Sequence, residues 1–92
     1  MKNTISIGYD LLTPGRDYKA LHGAIQQISP QWAHPLESQW LVVTTLSATQ
    51  VRDRLLPHID QNDRLLVMDV GPGVAWFNLV PKVSEWLKAI FA

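Results

Sequence analysis

The stretch Thr4-Ile5-Ser6-Ile7-Gly8-Tyr9-Asp10 puts large apolar side chains at 5, 7 and 9 and small or polar ones at 4, 6, 8 and 10. Side chains of an extended chain alternate between two faces, so this period of two predicts a first strand, β1, with one buried face. Thr13-Pro14-Gly15 beyond it is turn chemistry, and from Asp17 the residues Tyr18, Leu21, Ala24, Ile25 and Ile28 fall on one helical stripe. That stripe predicts a helix, α1, stopped by Ser29-Pro30. Residues 31–36 and 39–45 then read as strands β2 and β3, joined at Glu37-Ser38 and rich in Trp, Val and Thr. Pro35 lacks an amide hydrogen and assigns β2 to a sheet edge.

Ser47 followed by Gln50 is a capping-box pattern that opens a second helix, α2, with Ala48, Val51, Leu55 and Ile59 turned inward and Arg52, Asp53 and Arg54 turned to water. Pro57 shortens or bends its end. Residues 64–70 form a nearly continuous apolar run, the pattern of a strand, β4, that is paired on both edges or covered on both faces. Gly71-Pro72-Gly73 breaks the run. Val74 to Leu79 has the length of one more short strand, and Pro81 suits the first position of a closing helix with Val83, Trp86, Leu87 and Ile90 on one side.

The order β-α-β-β-α-β followed by an appendage is that of an α+β, ferredoxin-like βαββαβ sandwich. Right-handed crossovers put both helices on one face of an antiparallel sheet, with β1 and β3 central and β2 and β4 outside. The other face is expected to stay open, carrying Ser6, Gly8 and Asp10. Small residues there permit close approach by another layer, and a homodimer with Ser6, Gly8, Trp76 and Phe77 in its interface is the expected arrangement.

The 92 residues fit a single domain spanning 1–92, and 47% hydrophobic with 17% charged residues describe a folded globule. A domain this small buries only about 60 to 65% of the surface of its unfolded chain, so association would add needed stability. The absence of cysteine excludes disulfides and thiolate chemistry and fits a cytoplasmic protein, and no run approaches the roughly 18 apolar residues of a membrane span. Eight basic and eight acidic residues leave no net positive field for nucleic acid.

Ile5-Ser6-Ile7-Gly8-Tyr9-Asp10-Leu11, with an aspartate at the end of the first strand, resembles the small CRISPR-associated nuclease-like subunit of the spacer-acquisition complex and virulence-associated protein D. Tyr9-Asp10-Leu11 through Thr13-Pro14-Gly15, with Tyr18, Leu36-Glu37-Ser38, Trp40, Leu46-Ser47, Arg52 through His58-Ile59-Asp60 and Asn62-Asp63, is similar to small bacterial proteins labelled SinR-family. The resemblance implies a dimer in which two Asp10 carboxylates share Mg²⁺ or Mn²⁺ and activate water against an RNA or DNA phosphodiester, with Arg16 and Lys19 available to phosphates. It also implies that a late strand pairs with the partner's sheet and carries Trp76 or Phe77 into the interface.

Beside that reading stands a structural one, in which Asp10 caps the following turn with its own side chain. His22, one turn after Tyr18, reads as a hydrogen-bonded packing residue, His34 and Glu37 as solvated residues of a hairpin, and His58 as a helix-end cap. Arg52, Arg54 and Arg64 are interleaved with Asp53, Asp60 and Asp63, which favours local ion pairing. Trp32, Trp40, Trp76 and Trp86 read as core and interface. Two functions follow: a metal-dependent nuclease acting through Asp10, or a non-catalytic homodimeric scaffold.

Overall fold

A computed structural model describes residues 2–12 and 18–91. The elements run β1 (Asn3–Asp10), α1 (Lys19–Ile28), β2 (Trp32–Leu36), β3 (Gln39–Thr44), α2 (Ala48–Leu55), β4 (Arg64–Asp69) and α3 (Pro81–Phe91), with a short 3₁₀ turn at Leu56–His58. The four strands form one antiparallel sheet in the order β2-β3-β1-β4, so β1 and β3 are central as their alternation and apolar content require.

The period of two in β1 places Ile5, Ile7 and Tyr9 under α1 and α2, where they pack with Leu21, Ile25, Trp40, Val42, Val51 and Leu55. The capping box forms as its residues dictate: the Ser47 hydroxyl accepts from the Gln50 amide at 3.1 Å, and the Gln50 side chain accepts from the Ser47 amide at 2.9 Å. Such a cap is worth about 1 kcal/mol to a short helix. Pro57, unable to continue the α-helical hydrogen-bond ladder, sits inside the 3₁₀ turn that ends α2.

Three expectations are corrected. Residues 74–79 form no strand: Asn78 takes a left-handed φ of 62°, and the Trp76 indole donates to the Ser84 hydroxyl at 3.0 Å, which ties the segment to α3. The second face of the sheet is also not wholly open. Leu87 of α3 is buried, as are Ala33 and Leu41, which register puts on that face opposite the helix pair. Half of the face is thus roofed by the C-terminal segment and half is bare.

The third correction concerns β4, which is neither paired on both edges nor covered on both faces. Among the described residues it pairs only with β1, and its second-face residues Leu66 and Met68 are 64% and 52% exposed. The turn at Thr13-Pro14-Gly15 and the start of α1 at Asp17 lie outside the described residues.

Candidate functional site

Two depressions meet at the carboxyl end of β1, and Tyr9, Asp10 and Ser38 line both. One lies on the bare half of the second face, has a volume of about 530 Å³, and is bordered by Gly8, Leu36, Gln39, Arg64, Leu66 and Met68. The other, about 360 Å³, opens toward the helix side between Leu12, Tyr18, His22, His34 and Glu37.

Asp10 is exposed and sits across the β1–β4 ladder from Arg64. Among the described residues its carboxylate makes no hydrogen bond or ion pair. Asp63 braces the same region, its two carboxylate oxygens accepting from the amides of Leu12 and Asp60, each at 2.9 Å, while the turn that Asp10 was expected to cap lies outside the described residues. One side chain from the loop before β4 therefore holds the chain leaving β1. The sequence hid this because the bond spans 51 positions.

The helix-side depression is built on a hydrogen-bonded ring cluster. Tyr9 projects under α1, and its hydroxyl lies 2.9 Å from His22 Nε2, accepts from the Trp40 indole at 3.2 Å, and reaches the Glu37 carbonyl at 3.3 Å. His34 Nε2 lies 3.0 Å from the same carbonyl, which can only accept, so that nitrogen carries hydrogen. The His34 ring stacks on Trp40 with centroids 4.1 Å apart and planes 12° from parallel. His22 thus has the hydrogen-bonded, packed role read from its spacing, whereas the hairpin residues His34 and Glu37 join a cluster that sequence reading left apart.

Burial pushes the Tyr9 phenol above its usual value of 10.0, against the opposing Trp40 hydrogen bond. Tyr9 stays a neutral hydroxyl through the physiological range. It can donate to His22 when that ring is neutral at Nε2, or accept from His22 and donate to the Glu37 carbonyl when Nε2 is protonated. Either direction satisfies the buried indole.

The remaining sequence candidates are scattered. Ser6 is buried and its hydroxyl accepts from Gln39 Nε2 at 3.1 Å, Gly8 floors the bare depression, Trp76 is half-buried against α3, and Phe77 is 90% exposed. Lys19 opens α1, and Arg16 lies outside the described residues. Arg52 pairs with Asp53 at 2.9 Å, as interleaved charges suggested. No cluster of three or more His, Asp or Glu side chains arranged for a metal occurs among the described residues. Asp10 with a guanidinium-bearing neighbour across the ladder does not by itself fit Mg²⁺ or Mn²⁺, which favour several oxygen ligands. Among the described residues no helix is long and apolar enough to cross a membrane.

Comparison with family models, curated proteins and solved structures gives no match.

Proposed function

We propose that this chain is a homodimeric, non-catalytic scaffold of the ferredoxin-like βαββαβ kind, in which a second copy covers the side of the sheet that carries β4. The strand order with α1 and α2 on one face supports the fold name. The observation that carries the function is the exposure of Leu66 and Met68, 64% and 52%, on the edge strand β4. Apolar residues grouped on an unpaired edge are costly in a monomer, and a two-fold partner is the commonest cover. Sedimentation equilibrium at micromolar concentration is expected to give twice the 10.4 kDa chain mass. A mass of one chain there would overturn the proposal.

A second reading follows from the exposed Asp10 carboxylate where the two depressions meet: a metal-dependent nuclease of the type that the resemblance to virulence-associated protein D and the CRISPR-associated subunit implies, acting on RNA or DNA. Because Arg64 faces Asp10, a divalent ion would need the partner's Asp10 as well. Wild-type protein would then melt higher in millimolar Mn²⁺, and Asp10→Asn would lose both that gain and any cleavage of a mixed RNA and DNA pool. Absence of a metal-dependent shift and of cleavage in the wild type eliminates this reading.

A further inference from the structure

The two edges of the sheet are not equivalent. β2 is blunted by Pro35 and by a register irregularity between Ala33 and Leu36. β4 carries neither device, since Arg64-Leu65-Leu66-Val67-Met68-Asp69 has no proline, no lysine and no bulge in its ladder with β1. The ladder also fixes which of its amides are free. The Val70 amide donates to the Thr4 carbonyl at 2.9 Å, and antiparallel hydrogen-bonded pairs alternate, so residues 66 and 68 bond inward to β1. Leu65, Val67 and Asp69 point their N–H and C=O groups outward.

We propose that β4 pairs antiparallel with β4 of a second copy about a two-fold axis at Val67, joining two sheets into one of eight strands. This rests on the homodimer reading above and specifies its interface. In that register the outward groups of Val67 meet those of the partner's Val67, and Leu65 meets the partner's Asp69, so each outward residue finds an outward residue. Leu66 then lies directly opposite the partner's Met68 at a non-hydrogen-bonded pair, where side chains approach most closely. Each of the four exposed apolar side chains thereby gains an apolar cross-strand neighbour. Moving the axis to Leu66 puts Asp63 against Asp69 and leaves Arg64 facing Met68, and moving it to Asp69 sets like charges face to face. The register at Val67 pairs Leu66 with Met68 twice over, and this self-complementarity favours a second copy over an unrelated strand. With strands about 4.8 Å apart and a rise of about 3.3 Å per residue, the two Asp10 residues end up about 25 Å apart, so this dimer excludes an ion shared between them.

The natural absence of cysteine makes the register directly readable by cross-linking. Opposed residues at a non-hydrogen-bonded pair have Cα atoms about 4.5 Å apart, within disulfide range, whereas two copies of residue 66 would stand about 8 Å apart, beyond it. An oxidised mixture of Leu66→Cys and Met68→Cys chains is expected to yield a cross-linked dimer, and neither variant alone should do so. Val67→Pro removes an outward amide while sparing the β1 ladder, so it should give a folded monomer. A wild type that sediments as a dimer but gives no cross-link in the mixture, or cross-links with Leu66→Cys alone, overturns this register and leaves the homodimer standing. A monomeric wild type overturns both.

Discussion

The two faces of the sheet differ in how completely one short chain can cover them. On the helix side Ile5, Ile7 and Val42 are wholly buried, and even the polar atoms of Tyr9 and Trp40 are bonded to each other. On the other side α3 packs toward β2, where Ala33 and Leu41 are buried, while Leu66 and Met68 of β4 stay more than half exposed. A chain of this size has enough apolar surface for one finished core and part of a second layer. The unfinished part is where association acts and where substitutions should separate stability from assembly.

The comparison breaks most visibly at its most buried positions. Ile7→Ala is expected to lower unfolding free energy by about 2 to 5 kcal/mol, the range for truncation in a closed core, as measured by chemical denaturation. Leu87→Ala should fall toward the lower end of that range, because the half-open second face can settle into the vacated volume. Equal losses at the two sites would mean that the second face is as rigidly packed as the first.

An intermediate effect is expected where the helix side is held by polar contacts. Tyr9→Phe leaves the buried Trp40 indole without its acceptor and should cost about 1 to 3 kcal/mol. Its pH dependence is a second signature. Because the folded phenol titrates above 10.0, the unfolded chain releases that proton first as pH rises. The wild type therefore keeps this contribution in full below about pH 10 and loses it as pH climbs from there through the higher folded value. The Phe variant should show a shallower alkaline decline in Tm, and an unchanged slope would contradict the raised value.

The smallest expected change in the isolated chain is at Leu66. At dilutions where the protein is monomeric, Leu66→Ser should move stability by no more than about 0.5 kcal/mol, since that side chain is already solvated. Self-association should weaken at the same time. A large loss in the monomer would place Leu66 in the core, against its exposure.

Much of the architecture was legible because it is written in local periodicities. Alternation in residues 4–10, the helical stripe ending at Ser29-Pro30, the Ser47–Gln50 cap and Pro81 at the start of α3 each reflect sterics within a few residues. Pro35 located an edge for the same reason. The candidate site was legible only in pieces: Tyr9, His22, His34 and Trp40 could each be named, yet their meeting depends on the β2–β3 hairpin lying against α1.

Where a pattern was read beyond its local meaning, the fold decided otherwise. The apolar run of β4 announces a strand that wants cover on all sides, and only the sheet order reveals that one edge and one face are left without it. Val74 to Leu79 is long enough for a strand, but an extended segment becomes one only with a neighbour to bond, and the Trp76–Ser84 contact draws it to α3 instead. Asp63 carries no sign in the sequence that it reaches the end of β1. Its bond to the Leu12 amide was fixed by the closeness in space of the end of β1 and the loop before β4, since hydrogen-bond partners 51 positions apart are chosen by tertiary packing and leave no periodic trace in the chain.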